Sequence, residues 1–147
     1  MNLSDYGISE QDVTLVSTLE SLQSNIKDIK AMPYIALDFE FVPATIIGQI
    51  HHMSLLQVAG YNPELEPTSQ VKIWVIDLIH PRERYLAENS YSGAKDELEY
   101  TQIIKIVLDD IIGNVSCTKL GLGLVNDLQN LKTACDYPTE KKVVRIY

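Results

Sequence analysis

The stretch Tyr34-Ile35-Ala36-Leu37-Asp38-Phe39-Glu40-Phe41 is apolar or aromatic at every position except two, and both exceptions are carboxylates. Such a run, set off by Pro33, predicts a strand that is apolar on both faces apart from those two positions. Asp38 and Glu40 stand two residues apart, so in a strand their side chains leave from the same face. Two carboxylates in a buried strand repel each other and are costly to desolvate. A divalent cation offsets both terms, because hard cations take carboxylate oxygens. The alternative places the pair at the exposed end of the strand, facing water. Spacing alone leaves the two readings level.

Other segments build a domain around this strand. Val13–Val16 is a short β-prone run, preceded by a polar lead-in over residues 1–12. Ser17 and Glu20 fit a capping box, and Leu19, Leu22, Ile26 and Ile29 follow at helical spacing, which predicts a helix over about 18–30. After a loop at 43–50, residues 53–59 and 71–76 read as two further strands around a turn-rich segment at 60–70. A polar excursion at 80–97 leads to a helix over about 97–112, marked by Ile103, Ile104, Val107, Leu108, Ile111 and Ile112 and stopped by Gly113-Asn114. Residues 117–122 predict a strand, Leu124, Leu128, Leu131 and Cys135 share one face of a short helix, and 143–146 predict a last strand. The order of strands followed by helix, strand, helix and strand predicts an α/β domain with a mixed sheet.

Bulk properties narrow the function. A length of 147 residues is that of one domain, and 46% apolar with 22% charged residues is ordinary globular composition. No apolar run approaches the roughly 18 residues needed to span a membrane. The start, Met1-Asn2-Leu3-Ser4-Asp5, has no basic or apolar leader pattern. Cys117 and Cys135 suit a reducing compartment. The expectation is an intracellular protein of cytoplasm or nucleus. Twenty acids against twelve bases leave a net charge of −8, which argues against a broad electrostatic footprint on nucleic acid. Contact with a polyanion must then rest on a few side chains or on metal ions.

Asp127 is a third carboxylate of interest. It flanks the apolar stripe of its helix and stands in the first turn, where the helix dipole favours an anion. A plain dipole-stabilising role, with Asn126 as the cap, is the competing reading. Gly121-Leu122-Gly123 permits a tight turn from strand to helix but lacks the third glycine of a dinucleotide fingerprint. His51-His52 and His80 read as polar loop residues, Arg82, Arg84 and Lys95 as a solvated loop, Lys119 as a residue at the edge of its strand, and the cysteines as small buried apolar residues. No P-loop, nucleophile elbow or zinc spacing is present.

Taken as a set, Leu37-Asp38-Phe39-Glu40-Phe41-Val42, Ser54-Leu55-Leu56-Gln57-Val58-Ala59, Trp74-Val75-Ile76-Asp77 and Lys119-Leu120-Gly121-Leu122-Gly123-Leu124-Val125-Asn126-Asp127-Leu128 resemble the DEDD (DnaQ-like) 3′–5′ exonucleases, with the RNase D and Werner-type branch most similar. The resemblance covers roughly residues 13–147 and implies a ribonuclease H-like fold. It implies a mixed five-stranded sheet flanked by helices, with the second strand, 53–59, antiparallel to its neighbours. It further implies two Mg²⁺ or Mn²⁺ ions, with Asp38 and Glu40 matching the first acidic motif and Asp127 the second. These three residues are the expected catalytic and metal-binding set, and the 3′ end of single-stranded RNA or DNA is the expected substrate. The family's third motif, a helix carrying a fourth acid and a tyrosine or histidine, has no match up to Tyr147. The expectation is therefore a domain truncated at its C-terminal side, with at most one tight ion and no robust 3′-end trimming by this chain alone. The sheet face left uncovered would invite self-association or a protein partner. The rival is a non-catalytic module that binds nucleic acid or protein on a degenerate exonuclease fold.

Overall fold

The computed structural model describes residues 8–41, 53–79, 88–89 and 92–135, the side chains of 132–135 excepted. Its elements are β1 (Val13–Val16), α1 (Leu19–Ala31), β2 (Tyr34–Phe41), β3 (Met53–Tyr61), β4 (Val71–Asp77), α2 (Ala94–Ile106), a π-helical turn (Val107–Ile112), β5 (Thr118–Leu120) and α3 (Leu124–Cys135). The strands form one mixed sheet in the order β1-β4-β3-β2-β5. As expected, β3 runs antiparallel to both of its neighbours, β2 and β4. The outer pairs β1–β4 and β2–β5 are parallel. The mixed ribonuclease H-like sheet is as expected, but its membership differs: Val13–Val16, read from the sequence only as a β-prone run, forms one edge beside β4 and makes up the five described strands. The strand expected over 143–146 lies outside the described residues.

Strand β2 differs from its expectation. Its burial alternates, with Ile35, Leu37 and Phe39 buried and Tyr34, Ala36, Asp38 and Glu40 exposed. The sheet is thus covered on one face, and both carboxylates stand on the other, in contact with water. The covered face carries the core, to which α1 contributes Leu22 and Ile29, α2 Ile103 and Ile104, and α3 Leu124, Leu128 and Leu131. Trp74 of β4 is 2% exposed, and its indole N–H donates to Asn25 Oδ1 of α1 at 3.3 Å. That bond satisfies the polar atom of a buried indole and ties helix to sheet.

Several boundaries move for local reasons. The N-cap of α1 is Thr18, not Ser17: Ser21 N–H donates to Thr18 Oγ1 at 3.1 Å, and the Ser21 hydroxyl takes the Thr18 N–H in return. Glu99 of α2 accepts the Leu19 N–H at 3.1 Å, so a second helix satisfies another open donor of this terminus. The helix expected over 97–112 begins at Ala94 and widens into the π turn at Val107, where Gly113 N–H reaches back five residues to Leu108 O at 3.0 Å. The wider turn stacks residues four and five apart, so Val107, Leu108, Ile111 and Ile112 all enter the core. Part of the polar lead-in is ordered: Glu10–Asp12 forms a 3-10 turn, and Asp12 Oδ2 accepts from Ser9 N–H at 2.8 Å. Among the described residues no helix is long and apolar enough to cross a membrane.

Candidate functional site

The outer face of β2 presents Asp38 and Glu40 roughly 7 Å apart along the strand. Pairing with β3 holds that end of the strand. Asp38 faces Gln57 and Glu40 faces Leu55, but Phe41 faces Met53, so Ser54 is an extra residue in β3, a β-bulge beside Glu40. The Ser54 hydroxyl donates to the Glu40 carbonyl at 3.0 Å, and the Ser54 carbonyl accepts from Leu78 N–H at 2.8 Å. The bulge therefore keeps its hydroxyl and carbonyl paired while it bends the ladder at the acidic end of β2. Gln57 Nε2 donates to Asp38 Oδ2 at 3.4 Å.

Asp127 arrives by a different route. β5 lies parallel to β2, with Ala36 beside Leu120, so the chain leaves the sheet next to Leu37 and Asp38. Two glycines make the turn. A Cβ on Gly121 would lie 2.8 Å from the Leu37 carbonyl oxygen, and Gly123 has φ +77°. The Gly123 carbonyl then accepts from Asn126 N–H at 2.8 Å and Asp127 N–H at 3.3 Å, which opens α3. Asn126 is inside the helix and does not cap it. Buried Leu124, Leu128 and Leu131 fix the helix, and Asp127 is half-buried in its first turn.

Electrostatics connect the three acids. Burial raises the Asp127 carboxyl above the usual carboxylate range, and the charges of Asp38 and then Glu40 raise it further. A group whose ionisation is opposed by two neighbouring carboxylates shares a field with them. Among the described residues, no three His, Cys, Asp or Glu side chains are drawn together closely enough to hold a metal ion as they stand. The chemistry of the donor set nevertheless fits one: oxygen donors only, each an anion, with the proton affinity of Asp127 raised by the other two.

The remaining candidates separate cleanly. His51, His52, His80, Arg82 and Arg84 lie outside the described residues, as does the side chain of Cys135. Lys95 is exposed. Cys117 is buried, and burial pushes its thiol up despite the opposing influence of Lys119. Lys119 is the residue whose expected place is wrong. Its side chain is 1% exposed, and Nζ donates to the carbonyls of Asn114 and Cys117. Burial pushes its ammonium below the usual lysine range. It sits opposite Ile35 on the covered face, because a three-residue edge strand can tuck its central side chain under the turn that precedes it. The sequence names Gln57 only as part of a matching stretch; that it touches Asp38 depends on strand register.

Solved structures share this fold. The chain superposes on the exonuclease domain of Aedes aegypti Nibbler with a TM-score of 0.56 at 17% identity, covering 88% of this chain and 47% of that one. The EXD2 exonuclease domain soaked in Mg and GMP gives 0.51 at 18% identity, over 92% of this chain and 55% of that one. Trypanosoma brucei RNase D in complex with RNA U12 gives 0.50 at 17% identity, over 91% and 36%. The chain thus has an exonuclease-type fold, as its resemblance implied, and spans about half or less of the length of these structures. No protein-family model matches it, and comparison with curated proteins yields no significant match.

Proposed function

We propose that this chain is a 3′–5′ exonuclease-type domain whose Asp38, Glu40 and Asp127 hold divalent metal for the hydrolysis of nucleic-acid phosphodiesters. The observation that carries the reading is the placement of the acids at the β2–α3 junction: β5 pairs in parallel with β2, the glycine turn packs against Leu37 and opens α3 beside Asp38, and the charges of Asp38 and Glu40 there oppose the ionisation of Asp127. A divalent cation is the natural counter-charge for such a set, and the residues would hold Mg²⁺ or Mn²⁺ through carboxylate oxygens alone. When bound, it supplies an activated water and charge stabilisation at the leaving 3′ oxygen. The chain's own part is positional. Asp38 and Glu40 present oxygens from a rigid strand, the bulge at Ser54 sets their angle, and the glycine turn brings Asp127 up from the helix. The substrate reading, the 3′ end of single-stranded RNA or DNA, is supported by the RNA and GMP complexes of the structures that share the fold.

Mn²⁺ should raise the melting temperature of the chain by mass action, and Asp38→Asn should remove that rise. Gel assays with 3′-tailed single strands in Mn²⁺ test the chemistry. Trimming that is lost in Asp127→Asn supports the reading; a chain that neither gains stability with Mn²⁺ nor trims a 3′ end overturns it.

A second reading, a non-catalytic binding module, draws on a different observation. Beyond the acids, the outer sheet face exposes Tyr34 (42%), Tyr61 (43%) and Leu120 (36%), and the two tyrosine rings are 6.3 Å apart. Exposed apolar surface of this kind suits self-association or a protein partner. Concentration-dependent sedimentation that Tyr61→Ser abolishes, together with absence of trimming, would favour this reading.

A further inference from the structure

We infer that Gln57 is a positioning residue that holds the Asp38 carboxylate in the orientation needed for metal binding. This rests on the reading of Asp38, Glu40 and Asp127 as metal ligands and goes one layer beyond it. Three observations lead there. Gln57 is the direct cross-strand partner of Asp38, so the two side chains leave the same face of the sheet about 5 Å apart at Cβ. Its Nε2 lies 3.4 Å from Asp38 Oδ2. The neighbours along the strands on that face, Ala36 and Ala59, are small, so no bulky side chain packs against the Asp38 carboxylate from there.

The chemistry of the pair sets its direction. An ionised carboxylate only accepts hydrogen bonds, so the amide must turn its NH₂ group towards Asp38. The oxygen engaged by Gln57 is then fixed, and Oδ1 is left available to a cation. An exposed aspartate without such a partner would exchange rotamers freely, and a cation would have to order it on binding. Partners that hydrogen-bond metal-ligating carboxylates typically contribute 10- to 100-fold in metal affinity. Gln57 is suited to this place by reach and by neutrality: a glutamate opposite Asp38 would add repulsion, and an aliphatic side chain would offer no donor. The bulge at Ser54 acts on the same element from the next position, fixing the backbone at Glu40 while Gln57 fixes the side chain at Asp38.

The test is Mn²⁺ binding by the full chain, followed by the loss of the free-ion electron paramagnetic resonance signal. Gln57→Met keeps the length of the side chain and removes the amide; Gln57→Thr removes it in a strand-favouring residue. Val71→Thr, on the neighbouring strand β4 and the same face but remote from Asp38, controls for general effects on the sheet. Melting temperatures are measured in EDTA for each. The expected result is Mn²⁺ affinity at least 10-fold weaker in both Gln57 variants, unchanged in Val71→Thr, with melting in EDTA little altered. A merely structural Gln57 would lower melting in EDTA and leave affinity as it was, which overturns the inference while the metal site stands. Failure of the unaltered chain to bind Mn²⁺ removes the metal site itself and the inference with it.

Discussion

At Asp127 two electrostatic influences oppose each other. The first turn of a helix favours an anion by about 0.3–1 kcal/mol, whereas burial and the charges of Asp38 and Glu40 oppose it. The net direction is upward, so the opposing influences win. The folded chain therefore keeps this proton at pH values where the unfolded chain, near the ordinary value of about 3.9, has released it. Stability from this group is full below that value and falls as pH rises through the raised folded value. In EDTA at pH 7, Asp127→Asn should melt at a higher temperature than the unaltered chain, and the difference should vanish near pH 3.5. A variant that is less stable at pH 7 would show that the dipole dominates. The place of Asp127 in a first helical turn is legible from spacing. Its two acidic neighbours are not, because they reach it only through the parallel pairing of β5 with β2. Thr18 teaches the same lesson on a smaller scale. Ser17-Thr18 offers two adjacent hydroxyls, and the choice falls on Thr18, with Ser21 as its reciprocal partner and Glu99, eighty residues away, on the next N–H. Thr18→Ala should cost about 1 kcal/mol in urea unfolding, and Ser17→Ala should stay within about 0.5 kcal/mol.

Among the elements, the strands and the apolar helix faces could be read directly, because alternation and helical spacing are local properties. The face of β2 that holds the acids could not. A strand with six apolar or aromatic side chains in eight looks buried on both sides apart from its two acids, yet Tyr34 and Ala36 share the open face with Asp38 and Glu40. The π turn was also hidden, since isoleucine-rich spacing at 103–112 satisfies an ordinary helix almost as well. The turn between β5 and α3 is where sequence and geometry meet most directly. Gly121 and Gly123 serve different needs, one a close approach and the other a left-handed backbone. Gly123→Ala meets open space and should cost roughly 1–2 kcal/mol for its positive φ alone. Gly121→Ala sets a methyl 2.8 Å from the Leu37 carbonyl oxygen and 2.9 Å from Leu124 Cβ, so backbone must give way and the cost should be larger. Urea titrations of the two variants decide the order, and a reversed order would mean that the turn is not held against β2.

For the molecule as a whole, the succession of elements predicts an α/β domain with a mixed sheet, and the resemblance adds that the strand after the acids runs antiparallel to its neighbours; the order β1-β4-β3-β2-β5, with Val13–Val16 at one edge, depends on long-range pairing that neither reading contains. The same scale governs how the chain meets a polyanion. Net charge is −8, and Asp38 and Glu40 lie on an open face of the sheet. Of the six lysines whose side chains are described, Lys30 is paired with Asp110 at 2.8 Å, Lys72 lies 3.6 Å from Asp28 and Lys119 is buried, which leaves Lys27, Lys95 and Lys105 exposed. Few cations are therefore disposed to displace the counterions of a phosphate backbone. Each phosphate so neutralised on a single strand contributes about −0.7 to the slope of log affinity against log salt. In EDTA, a fluorescent 3′-tailed strand should bind weakly, with a slope shallower than about −2, the value for three contacts on that scale. Mn²⁺ should strengthen binding, since a cation at Asp38, Glu40 and Asp127 converts a repulsive patch into one that accepts a phosphate oxygen. Asp38→Asn combined with Asp127→Asn should abolish the Mn²⁺ gain and leave the weak EDTA binding unchanged or slightly stronger, because two repelling charges are gone. Anisotropy titrations across salt concentration read both terms. Tight binding in EDTA with a steep slope would locate the affinity in a basic surface away from the acids and would set the binding-module reading above the metal-dependent one.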